Sequence, residues 1–125
     1  MNKPDLSASA IKEYRNDKEI IELTVQQIVK DFYLFGLEIN FPEGIDYLWN
    51  EIFAELEKQI RYLLEINSAK ILSLLYQIDI AEDKIIEKAE QQKHRVLSEV
   101  VSEMIMEREL KKVLTRLYFK NLSSK

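Results

Sequence analysis

Closely spaced acidic residues are the feature of this chain that could bind a metal ion or act in acid–base catalysis. Asp79, Glu82 and Asp83 lie within five positions of one another, with isoleucines on both sides. A calcium site would need about six or more oxygen ligands, and an EF-hand loop would add a glycine and alternating acids that are absent here. Asp79 followed by Glu82 instead has the spacing of a capping box, and Asp83 would complement the helix dipole. We therefore expect Asp79 to cap a helix.

The single histidine, His94, follows Glu90 by four residues, so the two could bind a metal from one helix face. Di-iron sites in helical bundles need two Glu-x-x-His pairs and further glutamates from other helices. One histidine cannot meet that requirement, and this one lies in a run of polar residues. We predict no metal ligand, catalytic residue or cofactor in the chain.

A third set of carboxylates has the order E-x-x-E and then E-x-x-D, at Glu19, Glu22, Glu43 and Asp46. This spacing is similar to the Mg²⁺-binding pattern of all-α nucleotide pyrophosphohydrolases, and the resemblance implies Mg²⁺-dependent nucleotide hydrolysis by these four residues. The chain departs from that pattern at Lys18, where the family usually has another glutamate. The second pair also lies at a helix start flanked by proline and glycine. Nucleotide hydrolysis is therefore kept as an alternative function.

The elements that must position these residues are helices. The chain of 125 residues contains 2 glycines and 2 prolines, whereas an average domain has about 7% glycine and about 5% proline. Because strands depend on turns rich in these residues, the composition predicts an all-α fold. There is no cysteine, no secretory h-region at the N-terminus and no apolar run long enough to cross a bilayer. We expect a cytoplasmic protein with no membrane partner.

Hydrophobic periodicity predicts a compact antiparallel bundle of four main helices within a single domain over residues 16–125, after a loose N-terminal arm at 1–15. Asn16 or Asp17 is the expected N-cap of the first helix. The third helix is apolar on most sides, so it should be buried. The predicted ranges are 16–36, 44–67, 69–78 and 80–119. Six polar residues at 90–95 indicate that the last helix bends or breaks there, or that its C-terminal half projects from the bundle.

Charge is distributed unevenly along the chain, whose net charge is −4. Seven acids and no base lie between Asp31 and Glu57, and five bases and no acid lie from Leu110 to the end. Opposite charges of this kind favour packing of the two regions against each other, within one chain or between two.

The C-terminal helix carries the predicted interaction surface, because its apolar residues would need a partner. We expect a non-enzymatic protein–protein interaction or scaffold module, with a homodimer preferred. A nucleic-acid-binding role for the four bases is a further alternative, which the sequence pI of about 5.1 disfavours. The apolar members of this surface are Met104, Ile105, Leu110, Leu114, Leu117, Tyr118 and Phe119, and the basic members are Lys111, Lys112, Arg116 and Lys120.

Overall fold

The computed structural model describes residues 5–123, with the side chains of residues 5–121. This part of the chain is all-helical, without a strand, and packs compactly, as the composition predicts. It contains six helices, because the N-terminal region adds one and the long last helix is divided. The helices are α1 (Ala8–Tyr14), α2 (Lys18–Leu34), α3 (Trp49–Ile66), α4 (Ser68–Gln77), α5 (Glu82–Gln91) and α6 (Leu97–Ser123).

Within the range 1–15, where a loose arm is predicted, residues 8–14 form a helix. Ser7 caps α1, with its hydroxyl oxygen accepting a hydrogen bond from the Ala10 N–H at 3.4 Å. Ile11 is buried in a small cluster with Leu110 and Leu114 of α6. Burial of Ile11 and the Ser7 cap both hold residues 8–14 as a helix on the bundle. Residues 1–4 lie outside the described part of the chain.

The start of α2 follows the prediction. The Asp17 carboxylate accepts hydrogen bonds from the N–H groups of Glu19 and Ile20, at 3.1 and 3.2 Å. These bonds satisfy two of the backbone donors that a helix N-terminus leaves unpaired. At the other end, Gly36 has a φ of 72° and ends the helix in a left-handed turn.

Asp79 does not begin a helix, and the capping-box prediction is wrong. Its φ is 74°, and the Ile80 N–H donates to the Leu75 carbonyl at 2.7 Å while the Asp79 N–H donates to the Tyr76 carbonyl at 3.1 Å. These two bonds form a Schellman motif, so Asp79 occupies the left-handed position that ends α4. Ala81 is the N-cap of α5, and it has no side-chain cap.

The loop at 35–48 is longer than predicted, so α3 begins at Trp49 instead of near Gly44. The cause is a tight turn in which Gly44 has a φ of 82° and the Ile45 N–H donates to the Pro42 carbonyl at 3.1 Å. Gln59 of α3 then fixes the loop, since its side-chain amide exchanges two hydrogen bonds with the Asn40 backbone, at 3.0 and 2.7 Å. The apolar loop residues Leu37 and Ile39 are buried in the main core.

The polar run at 90–95 breaks the predicted long helix into α5 and α6. Arg95 lies in the connecting turn and forms an ion pair with Glu103. Its guanidinium also stacks on the Phe53 ring, 5.7 Å from the ring centre. The 27 residues of α6 give a length of about 40 Å. This helix does not project from the bundle, because it packs against α2, α3 and α5.

The main core lies around α6 and collects the apolar faces of α2 to α5. Its fully buried large side chains include Phe32 of α2, Leu56 of α3, Leu74 of α4 and Met106 of α6. Burial of each such side chain contributes roughly 1.5–3 kcal/mol. The same core holds α4 and α5 in place, with their outer faces turned toward solvent.

Candidate functional site

The candidate site is an apolar groove with a volume of about 530 Å³, formed where α3, α4, α5 and the start of α6 meet. We call it the apolar groove throughout. Nonpolar atoms make up most of its lining. The lining residues are Leu64, Ser68, Leu72, Glu82, Ile85, Ile86, Ala89, Glu90, Lys93 and Leu97.

The local sequence explains why the groove exists. Ile85 and Ile86 are adjacent on α5, so they point about 100° apart around the helix. Both line the groove, but Ile85 is buried in the core, whereas Ile86 is 53% exposed. Leu72 of α4 and Leu97 of α6 are 41% and 50% exposed. Three large aliphatic side chains from three helices therefore converge on water.

The charged side chains that line the groove are Glu82, Glu90 and Lys93. None of the three forms an ion pair or a side-chain hydrogen bond with another residue in the described range 5–121. Unpaired charges at the edge of an apolar surface set orientation and selectivity for a binding partner. The lining carries one more acid than base.

A second, more polar depression adjoins the groove and shares Leu64 and Leu97 with it. Here Arg61 pairs with Glu57 at 2.7 Å, and the Ser98 hydroxyl donates to the same carboxylate at 2.6 Å. Burial acts to raise the pKa of Glu57, but the hydrogen bonds from Arg61 and Ser98 outweigh it and leave the pKa lowered. In this depression Glu57 is thus already bonded to Arg61 and Ser98, whereas the charged residues of the groove have no such partners within residues 5–121.

A buried polar cluster lies elsewhere, between α2 and α6. The Asp31 carboxylate accepts a hydrogen bond from the Gln27 side-chain amide at 2.9 Å. It also forms an ion pair with Lys112 at 2.9 Å. The Arg116 guanidinium donates to the Gln27 carbonyl oxygen at 2.7 Å. Glu109 is next to Asp31 and only 1% exposed. Because the partners run in opposite order along the two helices, the cluster fixes how α2 and α6 align.

The two carboxyl groups of this cluster have pKa values shifted in opposite directions. Burial, followed by the neighbouring Asp31, raises the pKa of Glu109 to about 8. For Asp31, burial acts upward, but the interactions with Glu109, Lys112 and Gln27 leave the pKa lowered. At neutral pH the pair therefore carries one proton and one negative charge, which Lys112 balances. Both carboxyls are buried, so we read this cluster as structural.

No protein-family model, curated protein or solved structure matches this chain. The site must accordingly be judged from its own geometry.

The predicted interaction surface on α6 is only partly exposed. Ile105, Leu110 and Leu114 are buried, because α6 is the central helix and α1, α2 and α3 cover it. Met104, Leu117 and Tyr118 are half-buried. Phe119 is the one large apolar member that is mostly exposed, at 53%.

The basic members of that surface are similarly divided. Lys112 and Arg116 make the internal contacts to Asp31 and Gln27, Lys111 is half-buried, and Lys120 is exposed. A phosphate-binding patch depends on several cations that are available together. Two of the four bases are therefore already bonded to side chains of α2, and Arg116 nevertheless remains exposed.

The carboxylate candidates do not come together. Within residues 5–121, no group of three or more His, Cys, Asp or Glu side chains has the geometry to hold a metal ion. Glu19, Glu22, Glu43 and Asp46 therefore fail to converge as nucleotide hydrolysis requires, and Glu43 and Asp46 are exposed in the loop before α3. His94 lies in the turn after α5, so it shares no helix face with Glu90.

Sequence reasoning missed the groove, although one signal for it was present. The helix predicted at 69–78 is apolar on most sides, and we expected it to be buried. Ile71, Leu74 and Leu75 are buried, but Leu72 and Tyr76 are exposed, at 41% and 77%. An apolar residue on the outer side of a short helix is thus the sequence signal for the groove.

In the described part of the chain, no helix is both long enough and apolar enough to cross a membrane.

Proposed function

We propose that this chain is a non-enzymatic protein-interaction module that binds an amphipathic helix of a protein partner in the apolar groove. The observation that carries the proposal is the convergence of Leu72, Ile86 and Leu97 on solvent, each 41–53% exposed. Contiguous exposed apolar surface with a charged rim is typical of protein interaction sites.

The dimensions of the groove favour a helical ligand. Its wall α5 has 10 residues and is about 15 Å long. That length accommodates about three turns of a partner helix, with anchors at positions i, i+3 or i+4, and i+7. The excess of acid among Glu82, Glu90 and Lys93 favours a partner helix that carries basic residues beside its apolar face.

Site-directed photo-crosslinking tests this proposal in the cells that express the protein. A benzophenone amino acid is introduced at Ile86, inside the groove, and separately at Glu87, which lies on the same helix and is exposed. We expect a protein adduct of discrete mass from position 86 and none of the same mass from position 87. Equal adducts from both positions, or none from position 86, would contradict the proposal.

A further inference from the structure

The C-terminal end of α6 has the chemistry that the apolar groove requires. Arg116, Phe119 and Lys120 are all exposed, and their spacing of three and four residues places them on one helix face. Phe119 is 53% exposed. We call this face the basic tail face. It combines one large aromatic side chain with the cation of Lys120, and beside them Arg116 keeps its hydrogen bond to the Gln27 side chain. The sequence has no acid from Leu110 onward.

We propose, building on the function above, that the occupant of the apolar groove is the basic tail face of a second copy of this chain. Phe119 enters among Leu72, Ile86 and Leu97, and Lys120 faces the acids Glu82 and Glu90. These two acids have no ion-pair partner within residues 5–121. Docking therefore places the Phe119 ring against the apolar surface and the Lys120 ammonium group beside the two acids.

The tail face of one chain cannot reach the groove of the same chain. Leu97 lines the groove at the first residue of α6, and Phe119 lies 22 residues later on the same continuous helix. At 1.5 Å per residue the two are about 33 Å apart. A groove filled by this face is consequently filled by another molecule.

The same separation allows both grooves of a pair to be filled at once. When two α6 helices lie antiparallel, each tail face is at the end where the other copy has its groove. Two equivalent contacts then form around one two-fold axis, which closes the assembly as a dimer. A closed dimer buries both Phe119 side chains and leaves neither groove open.

Sedimentation equilibrium with the purified full chain, supported by light scattering after gel filtration, tests the assembly. We expect a dimer whose dissociation constant rises at least tenfold for Phe119→Ser and for Ile86→Lys. Tyr33→Ser is the matched control, because Tyr33 is an exposed aromatic residue on α2 at 73% exposure, outside the groove lining. It should leave the dissociation constant unchanged, and circular dichroism should show that all variants remain helical.

Charge reversal gives a second readout that simple damage to the fold would not reproduce. Glu90→Lys and Lys120→Glu should each weaken the dimer, and an equimolar mixture of the two variants should restore it. In the mixed dimer both tail contacts again join opposite charges.

The outcomes separate this inference from the proposed function. Three results would each overturn the tail-in-groove dimer. They are a monomer at all concentrations, a dimer whose dissociation constant does not change with Phe119→Ser, and a mixture of the two charge-reversal variants that does not dimerise. If the chain is monomeric while Ile86 still crosslinks to a different protein, the proposed function holds and only the identity of the occupant is wrong.

Discussion

Lys112 Nζ of α6 lies 2.9 Å from Asp31 Oδ2 of α2, and this ion pair joins the basic end of the chain to its acidic middle. The charge asymmetry of the sequence left open whether the two regions meet within one chain or between two. For this pair the contact is internal. It also lies over Glu109, so three charged or titratable groups share one boundary between the helices.

Removing the cation from this boundary should destabilise the protein. Lys112→Met leaves Asp31, whose side chain is only 10% exposed, without its ion-pair partner. Because Lys112 is itself 37% exposed, solvent compensates in part, and we expect a loss of about 1–3 kcal/mol. Urea unfolding followed by circular dichroism measures it. Lys111→Met is the neighbouring control, and a loss as large there would show that the Asp31 contact is not the cause.

Glu109 should make stability depend on pH on the alkaline side. Its pKa is raised from 4.5 to about 8 in the folded protein, so the folded state holds a proton that the unfolded chain releases. Its stabilising contribution is complete below about pH 4.5, declines as the pH rises, and is lost above about pH 8. The lowered pKa of Asp31 works the other way, with stability lost as the pH falls through its folded value.

Glu109→Gln tests this dependence, since glutamine keeps the size of the side chain and cannot ionise. Between about pH 5 and about pH 9 we expect the free energy of unfolding of the native protein to fall by a few kcal/mol. The variant should lose much less. Glu65→Gln, at an exposed carboxylate of α3, should behave like the native protein. An unchanged pH profile in the Glu109 variant would assign the alkaline loss to another group.

Replacement of Asp79 distinguishes a helix end from a helix start. A left-handed conformation costs a non-glycine residue roughly 1–2 kcal/mol, and the φ of Asp79 is 74°. Asp79→Gly should therefore raise the free energy of unfolding by about 0.5–1 kcal/mol, while Asp79→Ala should lower it or leave it unchanged. The contact from Arg108 at 3.4 Å is exposed and contributes little.

Thermal and urea unfolding of the two Asp79 variants measure the difference. Asp83→Ala serves as the nearby control, with an expected change within about 0.5 kcal/mol. If Asp79→Gly were the more damaging of the two Asp79 substitutions, the left-handed role of this residue would be wrong.

The adjacent isoleucines of α5 should respond in opposite ways. Ile85 is 6% exposed, so Ile85→Ala removes core packing and should cost about 2–4 kcal/mol. Ile86 is 53% exposed, and Ile86→Ala should change stability by less than about 1 kcal/mol. Urea unfolding at low protein concentration measures both changes in the free energy of unfolding. A large loss at position 86 would mean that this residue belongs to the core.

The sequence predicted those features that depend on local chemistry. Asp17 was recognised as a possible N-cap because its acceptor can reach the first free N–H groups, and the break near Arg95 followed from a polar run. Asp79 was misread because a carboxylate before a helix is equally compatible with the end of the preceding one. The backbone hydrogen bonds of Ile80 and Asp79 place Asp79 at the end of α4, and no pattern of side chains in the sequence reveals those bonds.

The groove and the buried carboxyl pair depend on packing that is remote in sequence. The sequence around Glu109 does not distinguish it from a surface acid, and its burial results from the packing of α2, which places Asp31 beside it. The apolar residues Leu110 and Leu114 were assigned to a partner because nothing in their spacing shows that α1 and α2 cover them. Exposure of Ile86 beside buried Ile85 likewise depends on where α4 lies relative to α5.

The photo-crosslink from Ile86, compared in native and Leu72→Glu backgrounds, tests whether the partner binds in the apolar groove. Leu72 lies across the groove from α5 and is 41% exposed, so a charge there should block the site without unfolding the bundle. We expect a discrete adduct in the native background that is reduced at least tenfold by Leu72→Glu, with unchanged helicity. An adduct of equal yield in both backgrounds would contradict binding in the apolar groove.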